Sequence, residues 1–162
     1  KKMKRLIYIL IFVLLAYETV LAQSKEYNEI ISEIKAGGNK LGMMTVGREA
    51  LRLASYLPFS MTDDIKTLLN GVTVLKVVRN KSGSTANFFD NSVKAFDDAK
   101  YREVDVSKYA DRNTVRLFCK RKWLSIREVH AVTTKERGMN ISVFGKFKIR
   151  TIRRVLKNNE LP

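Results

Sequence analysis

A nearly continuous run of apolar, mostly β-branched residues, VTVLKVV at positions 72–78, constrains the fold more than any other feature of this sequence. Such a run is typical of a strand that is buried on both faces of a sheet. The chain has 162 residues, of which 45% are hydrophobic, and it contains only 2 Pro and 8 Gly. These values predict one folded domain with a substantial core, and they exclude disordered, collagen-like and repeat proteins.

Apolar residues at helical spacing lie on both sides of this strand. They predict helices over residues 24–36, 48–57 and 63–70, in a segment capped by Ser84 or Thr85, and over about 148–157. Pro58 is expected to end the second helix, and Thr62 is expected to cap the third. The stretch from Lys40 to residue 47 is open to two interpretations, a weak strand or the first part of a longer helix.

Alternating patterns predict further strands at 101–106, 114–123, 126–133 and 141–147. The second of these places Val115, Leu117 and Cys119 on one face, and Phe118 with the basic residues on the other. We therefore expect an α+β fold, with a mixed, mainly antiparallel sheet of about five strands. A sixth strand near Met43 stays open, and we expect the helices to pack largely on one face, with a short helix at the C-terminus.

The first 22 residues have the pattern of a secretory signal peptide. Lys1, Lys2, Lys4 and Arg5 precede an apolar run of 12 residues at 6–17. Val20 and Ala22 are small residues at the positions that signal cleavage requires before Gln23. A membrane anchor is the competing interpretation, but it needs about 20 apolar residues and Glu18 interrupts the run earlier.

We therefore predict an exported protein, periplasmic or secreted, with a cleaved signal at 1–22 and a single domain at 23–162. No Cys lies directly after the apolar run, so a lipoprotein is not expected. Cleavage would also leave no transmembrane anchor.

The formal charge is +15, from 31 Lys and Arg against 16 Asp and Glu. Residues 23–111 contain 13 basic and 12 acidic groups, whereas residues 112–162 contain 14 and 3. The excess therefore belongs to the C-terminal third of the chain, and such asymmetry points to an anionic partner.

The predicted anion-binding residues are basic side chains of one strand and of the final helix. They are Arg116, Lys120, Lys122, Arg150, Arg153, Arg154 and Lys157. Export makes nucleic acid an unlikely partner, so the candidates are lipid head groups, acidic glycans and acidic protein surfaces. The competing interpretation is that these charges serve only solubility.

Other patterns give little support to catalysis. The loop NKSGST lacks the glycine and lysine spacing of a phosphate-binding loop, and it is interpreted as a capped turn. Acidic residues near Asp97, Asp98 and 103–111 lack the spacing of a metal or hydrolase site, and one Cys with one His cannot form a conventional zinc site. No catalytic residue, metal or cofactor is therefore predicted.

Cys119 and His130 lie on neighbouring predicted strands, where they could form a nucleophile and base. A two-residue turn at Leu124 and Ser125 would make them cross-strand partners. A three-residue turn would instead place Cys119 opposite Val129, with His130 pointing away. The sequence leaves this register open, although packing roles are far more common for such residues.

Three segments carry a resemblance to a known family. They are DIKTLLNGVTVLKVV, RLFCKRKWLSIREVHAV and NISVFGKFKIRTIRRVL, and they follow the signal peptide. With them the chain resembles, over about residues 41–156, the domain of unknown function family numbered 4252.

The resemblance implies a small exported α+β domain of Gram-negative bacteria, without an established activity or catalytic residues to transfer. The chain departs from this family in lacking the lipoprotein Cys of many relatives. It also has Lys146 and Lys148 where an acidic residue is common.

These observations together predict a non-enzymatic periplasmic or secreted binding protein whose basic C-terminal region attracts an anionic partner. The alternative is an envelope structural or regulatory protein that acts through protein–protein contacts.

Overall fold

The computed structural model describes residues 25–56, 63–122 and 125–158. The predicted signal at 1–22, the predicted helix end at Pro58, the Thr62 cap and the turn residue Leu124 lie outside the described residues. The described part confirms the α+β class. None of its helices has the length and apolar character needed to cross a bilayer.

Five α-helices are present among the described residues: α1 (Lys25–Ala36), α2 (Arg48–Tyr56), α3 (Asp63–Asn70), α4 (Thr85–Asp98) and α5 (Ile149–Asn158). The strands are β1 (Lys40–Gly47), β2 (Val72–Ser82), β3 (Arg102–Val104), β4 (Val115–Lys122), β5 (Ser125–Thr133) and β6 (Met139–Phe147). A 3-10 turn at Lys135–Arg137 joins β5 to β6. The Ser84 hydroxyl caps α4 by accepting a hydrogen bond from the Asn87 backbone N–H.

The six strands form one sheet in the order β1-β2-β6-β5-β4-β3, and every neighbouring pair is antiparallel. The sheet thus has six strands, more than the expected five, and the open segment from Lys40 is a strand. Along the chain, β2 is followed by α4 and then by β3. In the sheet, β2 lies between β1 and β6, whereas β3 lies at the far edge, so α4 connects two strands that are not neighbours.

Helices cover both faces of the sheet, which corrects the expectation that they pack largely on one. On the first face, Tyr27 and Ile30 of α1 and Phe88 and Phe96 of α4 form a core with Val78 of β2. The opposite face forms a second core with residues of α2, α3 and α5: Leu51, Leu68, Leu69, Ile149 and Ile152.

The central strand β2 explains this two-sided arrangement. Val74 and Val78 belong to the first core, whereas Val72 and Leu75 belong to the second. Leaving either face open would expose a row of branched apolar side chains, at a cost of about 25 cal/mol per Å² of apolar surface. The prediction of a strand buried on both faces is therefore confirmed.

Two glycines allow a close backbone approach at one end of the sheet. The Gly71 carbonyl oxygen accepts a hydrogen bond from the Lys146 backbone N–H at 2.9 Å. A Cβ atom on Gly71 would lie 2.6 Å from the Lys146 carbonyl oxygen, and one on Gly145 would overlap the Gly71 carbonyl. Only glycine at both positions therefore lets the α3–β2 turn rest against β6.

Replacing Gly145 by Ala is expected to destabilise the protein by about 1–3 kcal/mol, because rigid backbone atoms would have to move. Gly42→Ala is the matched control, since its new Cβ meets the side chain of Lys81, which is flexible. Urea unfolding measures both variants. Equal free energies of unfolding for the two would contradict this account.

Candidate functional site

A row of cross-strand neighbours with a buried polar centre crosses the first face of the sheet. Each member is the direct partner of the next one in the neighbouring strand. The members are Thr45, Lys76, Ser142, His130, Phe118 and Glu103. Ser142 and His130 at its centre have no solvent exposure. Polar groups at such depth require partners, because burial without hydrogen bonds is costly.

His130 is held between two polar neighbours. Its Nδ1 lies 2.9 Å from the Ser142 hydroxyl, which in turn lies 3.3 Å from the Asn140 side-chain oxygen. Its Nε2 lies 3.3 Å from Glu128 Oε2. Burial lowers the pKa of His130, and Glu128 only partly offsets that effect, so the imidazole is neutral at neutral pH.

Glu128 is a nearly buried carboxylate at the edge of this network. The Tyr101 hydroxyl donates a hydrogen bond to Oε2 at 2.8 Å. Burial alone would raise the pKa of Glu128, but His130 and Tyr101 outweigh burial and hold that pKa below its usual value. The side chain is therefore ionised and fixed in position at neutral pH.

Aromatic rings enclose the imidazole on several sides. The ring centroids of Tyr27, Phe96, Tyr101 and Phe144 lie between 4.7 and 5.6 Å from that of His130. Tyr27 also lies beneath the Lys76 ammonium, 5.6 Å from Nζ, which explains how a lysine fits the apolar run of β2. The imidazole has no solvent exposure within this packing.

The structure rules out a Cys119–His130 pair. Cys119 faces Val129 across the β4–β5 ladder, and His130 faces Phe118, so the two side chains lie on opposite faces of the sheet. The Cys119 thiol is buried in the second core, where burial raises its pKa. Of the two registers left open by the sequence, the one without a dyad is correct.

A cavity with a volume of about 530 Å³ opens beside this network. The regular ladder is interrupted there, by one bulge between Val72 and Val74 and a second between Ile126 and Glu128. Glu128, Gly71 and Gly145 are among the residues that line the cavity. The bulges and the glycine contact thus leave a space of the size that small ligands occupy.

Three basic side chains line this cavity. Arg48 begins α2, Arg127 lies in the β5 bulge, and Lys146 lies near the end of β6; all three are exposed. No carboxylate of the described residues is at ion-pair distance from any of the three. Two guanidinium groups and an ammonium group line one cavity without an ion pair among the described residues, and they outnumber the one carboxylate that lines it, Glu128. This excess of positive charge favours binding of an anion.

The predicted anion-binding residues do not form one site. Arg116 pairs with both carboxylate oxygens of Glu103 at 2.6 Å, and Lys120 pairs with Glu26. These two basic residues share the first face with Phe118, whereas α5 packs over the opposite face.

Four of the seven lie on α5, and Lys122 is exposed at the end of β4. Arg154 pairs with Asp64 at 3.5 Å, while Arg150, Arg153 and Lys157 are exposed. The helix therefore keeps a basic surface, but it is separated from Arg116 and Lys120 by the sheet.

Sequence reasoning missed Arg48 and Arg127 as site residues and noted Lys146 only as a departure from a family pattern. Arg48 and Arg127 are 79 positions apart along the chain, Arg127 and Lys146 are 19 positions apart, and no motif joins them. The glycines at 71 and 145 were the one available signal, because isolated glycines near strand ends often mark a close backbone approach.

Comparison with known proteins adds no relative: the chain matches no family model, no curated protein and no solved structure. Within the described residues, no three His, Cys, Asp or Glu side chains are grouped so as to hold a metal ion.

The only His of the chain gives the network a measurable pH dependence. Because the folded pKa of His130 is lowered, the unfolded chain binds a proton below about pH 6.5 while the folded chain does not. Stability should therefore fall as pH falls from about 6.5 through the folded pKa, by at most about 1.4 kcal/mol per unit.

Urea unfolding at pH 7.5 and pH 5 tests this expectation. The lowered pKa of Glu128 changes the stability only below about pH 4.5, which is outside the range from pH 7.5 to pH 5. His130→Gln should be less stable than the wild type at pH 7.5 but lose less stability on acidification. The same pH dependence in both proteins would show that His130 is not responsible.

Proposed function

We propose that this chain is an exported, non-enzymatic binding protein that holds an anionic group of its partner in the cavity lined by Arg48, Arg127 and Lys146. The observation that carries the proposal is the convergence of these three side chains on one cavity without an ion pair among the described residues. The signal-like N-terminus and the overall excess of positive charge support it.

A binding role also fits the buried network better than a catalytic one. The contacts run from the Ser142 hydroxyl to His130 and from His130 to Glu128, which is the order found around an activated nucleophile. However, Ser142 and His130 are fully buried beneath aromatic rings. A nucleophile must contact its substrate, and Ser142 cannot. The network is better suited to fixing the position of Glu128 beside the cavity.

Methyl phosphate is a suitable probe, because it carries charge and little else. Arg48→Ala, Arg127→Ala and Lys146→Ala should each weaken its binding about tenfold, since each removes a charge-assisted hydrogen bond of about 1.4 kcal/mol. Nuclear magnetic resonance titration of the purified protein at constant ionic strength measures the dissociation constants.

The matched control is Arg150→Ala combined with Arg153→Ala and Lys157→Ala, which removes three exposed charges from α5. It should leave binding of methyl phosphate nearly unchanged. A larger loss in this control than in the cavity variants would move the site to α5. Absence of binding to the wild type would refute the proposal.

One observation favours the second candidate, an envelope protein that acts through protein–protein contacts. Strand β1 lies at the edge of the sheet, and among the described residues no strand pairs with its outer side. Met43 and Met44 on this strand are each 54% exposed. A long edge strand with exposed apolar residues is a template for strand addition.

This candidate predicts a specific contact at β1. A photo-crosslinking amino acid at Met44 should give one discrete adduct in the native envelope. The same group at Lys94, an exposed residue of α4, should give none. Equal labelling from both positions would indicate random collision and remove the support for this candidate.

A further inference from the structure

The basic surface of α5 begins beside the cavity. Lys146 lines the cavity, Lys148 lies between the end of β6 and the first turn of α5, and both are exposed. Two residues of extended chain span at most about 7 Å, so the Cα atoms of these lysines lie within that distance. The basic lining of the cavity therefore leads, around the end of the sheet, to the start of the helix.

The packing of α5 on α3 shows the direction in which the helix extends. Asn70 at the end of α3 lines the cavity, whereas Asp64 lies in the first turn of α3. Arg154, in the second half of α5, pairs with Asp64 at 3.5 Å. The start of α5 thus lies near the cavity and its end lies farther away. At a rise of about 1.5 Å per residue, Lys148 and Lys157 are about 14 Å apart along the helix.

The basic side chains of α5 form one stripe. Arg150, Arg153, Arg154 and Lys157 have the i, i+3, i+4, i+7 spacing that places residues on one helix face. Arg154 is the member that pairs with Asp64, and the other three are exposed without an ion pair among the described residues. Such a row of cations can contact successive anionic groups of one chain.

A membrane and a single-stranded nucleic acid fit this stripe less well. A helix that binds a membrane inserts its apolar face, but Ile149 and Ile152 of α5 already pack in the second core. Single-stranded nucleic acids stack their bases on exposed aromatic side chains. The aromatic residues of the adjoining strand β6, Phe144 and Phe147, are each only 3% exposed. The stripe therefore favours a partner that is recognised by its charge.

We infer that the partner is a linear polyanion, with one anionic group in the cavity and the following groups along the exposed basic side chains of α5. This inference rests on the proposed function and specifies its ligand. Linking anionic groups in one chain makes each further contact intramolecular, which raises the affinity. Acidic glycans and polyphosphate share this chemistry, and the experiment separates them.

Chain length is the variable that tests the inference. The probes are methyl phosphate, tripolyphosphate and a polyphosphate long enough to span the cavity and α5, which is about 20 Å. The wild type should bind the long chain at least about tenfold more tightly than tripolyphosphate, because only the long chain reaches the whole stripe. Isothermal titration calorimetry at constant ionic strength measures the dissociation constants.

Two variants separate the helix from the cavity. Arg150→Ala combined with Arg153→Ala and Lys157→Ala should reduce the preference for the long chain to about threefold or less and leave the affinity for methyl phosphate nearly unchanged. Arg127→Ala should weaken the binding of methyl phosphate and of the long chain alike, since both place a group in the cavity. Binding of the long chain that does not respond to Arg127→Ala would show two separate sites and overturn the inference.

The matched control is Lys35→Ala combined with Lys94→Ala and Lys108→Ala. It also removes three exposed charges that form no ion pair among the described residues. None of the three lies on α5 or lines the cavity. The control should keep the wild-type preference for the long chain. An equal loss in both triple variants would mean that only net charge matters, which contradicts an extended site.

Failure of the inference is distinct from failure of the proposed function. A wild type that binds methyl phosphate without preferring the long chain overturns the inference and leaves anion binding in the cavity intact. A wild type that does not bind methyl phosphate overturns both. Tighter binding of anionic phospholipid vesicles or of oligodeoxythymidylate than of the long chain, at equal negative charge, would replace the inferred partner by a membrane or a nucleic acid.

An oligogalacturonate of the same length identifies the source of the polyanion. Tighter binding of this oligomer than of polyphosphate assigns an acidic glycan. The reverse order assigns polyphosphate.

Discussion

The ionised Glu128 carboxylate is the constraint on which the rest of this structure depends. A charge at this depth is tolerated only when its partners are fixed. The Tyr101 hydroxyl donates a hydrogen bond to this carboxylate, and the His130 imidazole lies 3.3 Å from it. Those partners are positioned in turn by Ser142 and by the rings of α1 and α4. The helices of the first face therefore do more than cover apolar residues, because they orient a charge at the wall of the cavity.

The cavity itself is a consequence of interrupted strand pairing. Bulges in β2 and β5 and the contact of Gly71 with Gly145 all occur at one end of the sheet. Regular pairing would have filled this space with alternating side chains. Irregularity at one end of an otherwise regular sheet is a common way to bring side chains of distant segments together, and here it brings Arg48 near Arg127.

Much of the fold could be predicted from local patterns. The strand at 72–78, the helix capped by Ser84 and the strands after Val115 follow from periodicity and capping, which are properties of short segments. The placement of helices on both faces could not be predicted in this way, because it depends on which strands become neighbours. The site escaped prediction for the same reason, since Arg48 and Arg127 carry no local signal.

The sequence by itself determined the α+β class, the positions of most elements and the excess of positive charge, because each depends on residue type and short-range spacing. Only the tertiary structure decided which charges are paired. Pairing with Glu103 and Glu26 neutralises Arg116 and Lys120, while Arg48 and Lys146 are left to face a cavity. Coulombic pairing acts through space and not along the chain, so the sequence gives the number of charges but not which of them are paired.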